Sequence, residues 1–130
     1  MANAIVPKMK DGGRLFYIGA GTSGRLGIVD ASECPPTFST NPKLVQGIIA
    51  GGFDALFQSI EGAEDSLKAG ISAMIENGIN QHDVVLGISA SSSTPFVLGA
   101  LEKANELQAL TGLLICNELP KLLFVDHLIS

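Results

Sequence analysis

The sequence predicts an α/β fold: a three-layer parallel sheet with helices on both faces. Three observations carry this. Short apolar, β-prone runs recur along the chain; stretches with apolar residues at helical spacing separate them; and the loops that follow the first and third runs are built of Gly, Ser and Thr. Continuously apolar runs suit strands covered on both faces, as in a parallel sheet. Their alternation with helices implies right-handed crossovers and a ligand crevice at the C-terminal strand ends.

The first strand is Leu15-Phe16-Tyr17-Ile18, broken by Gly19-Ala20-Gly21-Thr22-Ser23-Gly24. Residues 26–32 read as a short helix, which Cys34-Pro35-Pro36 ends, because each proline removes a donor and restricts the residue before it. Residues 44–50 give the second strand, closed by Gly51-Gly52. Apolar residues recur at helical spacing over 53–60 and 66–75, with Glu61-Gly62-Ala63-Glu64-Asp65 interrupting and Asn77-Gly78 as the stop. Val84-Val85-Leu86-Gly87-Ile88 is the third strand. Thr94 as N-cap with Pro95 at the first helical position starts the next helix, whose stripe is Val97, Ala100, Leu101, Ala104 and Leu107. Residues 110–116 supply a fourth strand, and 123–129 begin a fifth.

With 130 residues and 46% hydrophobic content, the chain can bury one core without disulfide or metal staples. Its formal net charge of −5 includes no Lys/Arg cluster, which excludes an electrostatic footprint for nucleic acid. A phosphate must then be held by backbone and hydroxyl groups. Cys34 and Cys116 form no paired framework, and His82 and His127 stand alone, so neither a disulfide scaffold nor a metal site is expected. Residues 1–10 lack the features of a signal peptide, and no apolar run has membrane-spanning length. A soluble, cytoplasmic protein is the expectation.

The loops 19–24 and 89–94 each join a strand to a helix. Small residues let backbone N–H groups approach an anion at a helix N-terminus, where unpaired donors and the helix dipole favour negative charge. A single such loop is as readily just a turn; two at corresponding positions of one sheet point to phosphate. The first also satisfies the G-x-G-x-x-G pattern of dinucleotide-binding folds, but the tip of the second strand is Ala50-Gly51-Gly52, with Asp54 late for a ribose-binding acid.

Glu33 stands beside the Pro-Pro corner and Glu64 in the acidic stretch. In a partly desolvated pocket such carboxyls serve as general acid or base. From spacing alone, a turn cap for Glu33 and a solvated acidic face for Glu61, Glu64 and Asp65 are favoured. Cys34 reads as a small buried residue rather than a nucleophile, and His82 as part of a polar turn.

The stretch Gly12-Gly13-Arg14-Leu15-Phe16-Tyr17-Ile18-Gly19-Ala20-Gly21-Thr22-Ser23-Gly24-Arg25-Leu26-Gly27, with Asp30-Ala31-Ser32-Glu33-Cys34-Pro35-Pro36-Thr37-Phe38, closely resembles the signature of the N-acetylmuramic acid 6-phosphate etherases. Agreement continues through Ile48-Ile49-Ala50-Gly51-Gly52, Glu61-Gly62-Ala63-Glu64-Asp65-Ser66 and Asp83-Val84-Val85-Leu86-Gly87-Ile88. The resemblance implies a sugar-isomerase-type (SIS) domain of flavodoxin- or Rossmann-like topology. It implies elimination of lactate from C3 of the opened sugar after loss of the C2 proton, then addition of water, with no metal or organic cofactor. Glu33 matches the acid that protonates the departing lactate oxygen, and Glu64 the second catalytic carboxylate, which handles water. Gly21, Thr22, Ser23, Ser89, Ser91, Ser92 and Thr94 fall on the phosphate- and sugar-binding loops; Ser89 follows the general SIS pattern where etherases usually have Ala, and Ser92 replaces their usual glycine. The family also implies a homodimer whose sites draw on both subunits. Against it, residues 1–130 read as a single SIS-type domain incomplete at both ends, with 1–11 the remnant of an N-terminal helical segment. A non-catalytic phosphosugar sensor and an aldose–ketose isomerase of the same fold are the alternatives.

Overall fold

The computed structural model describes residues 1–91, 93–117 and 122–130. Five strands, β1 (Leu15–Gly19), β2 (Val45–Ile49), β3 (Val84–Ser89), β4 (Leu110–Ile115) and β5 (His127–Ile129), lie in the order β2-β1-β3-β4-β5, every neighbouring pair parallel. The sheet grows outward in opposite directions from β1 and β3. Between these two strands lies the switch point, beyond whose C-terminal ends a doubly wound fold opens its crevice.

Alternate side chains of each strand serve opposite faces. Phe16, Ile18, Val85, Leu113 and Ile115 point to one face, where Met74 of α3 (Leu67–Glu76) and Val97, Ala100, Leu101 and Ala104 of α4 (Pro95–Glu106) complete the larger core. Leu15, Tyr17, Val84 and Leu86 point to the other, covered by Met1 and by Ile5 and Met9 of α1 (Ala2–Lys10), and by α2 (Gly21–Phe38) through Ala31 and Cys34. Phe16, Ile18, Met74, Leu101 and Leu113 have no exposed surface, and each contributes roughly 1.5–3 kcal/mol by leaving water. This is the expected three-layer sheet with helices on both faces.

The lower ends of β1 and β3 are pinned by Asp83, only 1% exposed. Its carboxylate accepts the Arg14 backbone N–H (3.0 Å), Nε (3.1 Å) and Nη2 (2.8 Å) and the Asn80 N–H (3.0 Å). Arg14 also donates to the carbonyls of Asn77 and Gly78, closing the end of α3. A guanidinium there satisfies terminal carbonyls and complements the helix dipole.

Three expectations need correction. The short helix over 26–32 is instead α2, running through Pro35 and Pro36 to Phe38. Proline's fixed φ is itself helical; the pair gives up two helix hydrogen bonds and crowds the carbonyls four residues earlier but does not end the helix, and Ser39 ends it in a left-handed conformation with its N–H on the Pro35 carbonyl at 2.9 Å. Residues 53–60 form no α-helix: a 3₁₀ segment, Gly52–Leu56, follows Gly51, and Gly51 and Gly52 are both at positive φ. Their spacing reflects an exposed edge-to-face pair, Phe53 and Phe57, with ring centroids 5.5 Å apart. The fifth strand is limited to His127–Ile129, because Asp126 turns back to bind Thr111: Thr111 N–H donates to its carboxylate at 2.9 Å, and Asp126 N–H to Thr111 Oγ1 at 3.0 Å. The remaining segments match their expected types. Ser66 caps α3 by accepting the Ala69 N–H, Ala63–Asp65 is a 3₁₀ turn, and His82 lies on a polar turn.

Candidate functional site

Loop 19–24 carries the chain from β1 into α2 and is tightest at Gly24. A Cβ on Gly24 would stand 2.6 Å from Ile49 Cγ1 and 2.8 Å from the Gly19 carbonyl oxygen, so glycine is what lets the helix start against the strands. Gly21 adopts φ +56, and the N-cap residue Ala20 offers no side-chain acceptor to the first turn. Gly21 and Thr22 are exposed and Ser23 half-buried, leaving first-turn N–H groups and two hydroxyls at the crevice.

On the neighbouring strand, Ser89 is buried and its hydroxyl is 2.9 Å from that of Thr94, which is 3.5 Å from the hydroxyl of Ser91. Thr94 is the N-cap of α4 with Pro95 at the first helical position, as expected, yet its hydroxyl turns toward the serines and makes no capping bond. Asn117 Nδ2 donates to the Ala90 carbonyl, tying this loop to the end of β4. Ser92 lies outside the described residues. Because β1 and β3 are paired in register through Gly19 and Ile88, the two loops flank the switch point.

On the β2 side of the first loop opens a cleft of about 530 Å³, lined by Ala20, Gly21, Arg25, Ile60, Glu61 and Glu64, among others. Glu64 therefore shares a cavity with the first loop, on the 3₁₀ turn Ala63–Asp65. Glu64 is exposed, so the described residues do not supply the desolvated setting anticipated for it. Glu33 is not part of this cleft. It is exposed on α2, twelve residues beyond Gly21 and hence about 18 Å along the axis, toward the opposite end of the sheet. One chain brings Glu64 to the loops but not Glu33.

A larger groove of about 670 Å³ follows the edge strand β2, lined by Ile28, Pro35, Pro42, Val45 and Phe53 among others. It contains no candidate residue and no ionisable side chain. Among the described residues no group of three His, Cys, Asp or Glu side chains could hold a metal ion. No described helix is long and apolar enough to cross a membrane.

Two residues outside the expected set stand out: Arg25, which lines the cleft, and Tyr17, which lies outside it under α2. Arg25 lines the Glu64 cleft and donates Nε to the Ala55 carbonyl at 3.0 Å; its signal was the four-residue step from Gly21, which puts both on one helix face. Tyr17 donates to Asp30 at 2.6 Å, beneath Gly27 of α2, and burial, then the Asp30 bond, push its phenol far above the ordinary value. Burial and the Asp30 charge also raise the Cys34 thiol, which fits its reading as a non-nucleophile.

A doubly wound sheet with two small-residue loops flanking its switch point defines an α/β domain whose crevice opens between two helix N-termini. Residues 1–105 match the family described as the glucokinase regulatory protein N-terminal SIS domain, and the chain belongs to that family. The resemblance to the etherases is borne out. The chain is 58% identical over 114 residues to the N-acetylmuramic acid 6-phosphate etherase of Caldanaerobacter subterraneus, covering 88% of this chain and 37% of that protein. It is 60% identical over 108 residues to the enzyme of the same name from Clostridium acetobutylicum, covering 82% and 36%. With the etherase of Aliivibrio fischeri it shares 52% over 117 residues, covering 90% and 39%. The chain thus spans a little over a third of the length of these relatives.

Proposed function

We propose that this chain is the phosphosugar-binding core of a carbon–oxygen lyase that converts N-acetylmuramic acid 6-phosphate and water to N-acetylglucosamine 6-phosphate and D-lactate. The observation that carries it is Glu64 in a cleft shared with Gly21, in a chain 58% identical to an etherase. The 6-phosphate sits across the loops of Gly21, Thr22 and Ser23 and of Ser89, Ser91, Ser92 and Thr94. The opened sugar extends over Ala20 and Gly21 into the cleft. Loss of the C2 proton forms the C2–C3 double bond as the C3–O bond breaks; Glu33 protonates the departing lactate oxygen. Glu64 then guides water onto C3, and C2 regains a proton.

Because Glu33 and Glu64 stand apart in one chain, this reading requires a homodimer that presents Glu33 of one subunit to the cleft of the other. Such an enzyme serves peptidoglycan sugar recycling and works in the cytoplasm, where Cys34 and Cys116 remain the free thiols they are here. The reading is tested by replacing each acid. Glu33→Gln and Glu64→Gln should each lower lactate release by 10²-fold or more, the scale of a lost general acid or base, roughly 10²–10⁴, while affinity for N-acetylglucosamine 6-phosphate stays within twofold. Binding by the unaltered chain without any release would support the non-catalytic sensor instead.

A further inference from the structure

Among the described residues Arg25 is the one cationic side chain lining the Glu64 cleft, which is also lined by Glu61, Glu64 and Asp65. Three acids face a single guanidinium, yet none forms a salt bridge with it among the described residues. Its Nε is committed to the Ala55 carbonyl at 3.0 Å, which fixes the plane of the fork. The two Nη groups have no protein acceptor among the described residues, and Arg25 lines the cavity. Placed one turn inside the start of α2, Arg25 gains nothing from the helix dipole, which favours cations at the other end. An immobilised fork with both Nη groups open, beside acids that form no ion pair with it among the described residues, is suited to an anion brought by a ligand.

The charges decide which anion. A phosphate dianion in this cleft would face the three carboxylates with one cation to offset them, whereas the loops of Ser23 and of Ser89 and Thr94 offer hydroxyls and helix N-termini with no acid among them. A single carboxylate matches a single guanidinium fork. On a phosphosugar carrying an acidic ether at C3, the phosphate at C6 and the ether at C3 lie on opposite sides of the sugar. The loop after β3 and the cleft likewise lie on opposite sides of the β1 loop, joined by Ala20 and Gly21.

We infer that Arg25 is the specificity-determining residue that holds the carboxylate of the ether substituent. Resting on the lyase reading above, this inference assigns Arg25 a task that reading leaves open. The fork draws the ether toward Glu64 and rejects phosphosugars without the acid. Once the C3–O bond breaks, the same contact holds lactate until it leaves.

The test is titration of the chain with N-acetylmuramic acid 6-phosphate and with N-acetylglucosamine 6-phosphate, which lacks the carboxylate, alongside lactate release. Two variants are compared: Arg25→Ala, and Arg25→Gln, which keeps a donor for the Ala55 carbonyl but no charge. Both should weaken the first ligand by roughly ten- to a hundredfold, the range of a charge-assisted pair, and leave the second within twofold; Arg25→Lys should recover part of the loss. Equal weakening of both ligands, or no weakening of either, overturns the inference and leaves the lyase standing if lactate is still released by the unaltered chain. An unaltered chain that binds both ligands equally also overturns it, and one that binds neither overturns both readings.

Discussion

Asp83 takes four hydrogen bonds in a site almost closed to water, three of them from Arg14. Burial by itself would raise its carboxyl, but the Arg14 hydrogen bonds, followed by the Asn80 N–H, outweigh this and hold it below the usual carboxylate value. Asp83→Ala strands a guanidinium and two backbone donors, and is expected to cost about 3 kcal/mol by urea unfolding. A carboxyl depressed in the folded state adds stability above the unfolded Asp value of about 3.9, and that contribution is lost as pH falls through the folded value. The unfolding midpoint should therefore drop more steeply below about pH 4 in the unaltered chain than in Asp83→Asn. None of this network was legible in sequence: Arg14 and Asp83 are 69 positions apart, and nothing in either local stretch marks the partner. Glu64 was legible only through its motif, since spacing favours a solvated acid and an exposed acid is what it is within one chain.

At the scale of elements, the site depends on how closely α2 starts against β1 and β2. Gly24→Ala would drive a methyl to within 2.6 Å of Ile49 Cγ1 and 2.8 Å of a backbone oxygen. The helix must lift to relieve this, at a cost of about 1–3 kcal/mol. Because the same turn carries the Gly21, Thr22 and Ser23 donors, affinity for N-acetylglucosamine 6-phosphate should fall as well, while Gly78→Ala, remote from the crevice, should cost stability and leave binding intact. Strand positions and the start of α4 were readable because continuous apolar runs and Thr94-Pro95 are local signals. The extent of α2 was not, because a proline pair reads as a stop although its φ permits a final helical turn. Residues 53–60 misled for a related reason: two phenylalanines four apart satisfy helical periodicity while packing on each other at the surface.

For the whole molecule, the order β2-β1-β3-β4-β5 sets the geometry of function. It puts both small-residue loops at the switch point and the acid-bearing cleft beside them, and the topology follows from the alternation of elements that the sequence displays. What sequence could not give is the 18 Å or so that separates Glu33 from the loops along α2, since that depends on the helix continuing. A site shared between subunits has a measurable signature. Glu33→Gln and Glu64→Gln chains, each inactive alone, should recover about a quarter of full activity on equimolar mixing, because random symmetric pairing gives one intact site in four. A site contained in one chain would recover nothing.

The most direct measurement is lactate release from N-acetylmuramic acid 6-phosphate by the unaltered chain, with Glu64→Gln as its control. Stoichiometric D-lactate and N-acetylglucosamine 6-phosphate, lost in the variant, are the result expected. Release undiminished by Glu64→Gln, or phosphosugar binding with no release at any chain concentration, would contradict the assignment of this cleft as the seat of a lyase.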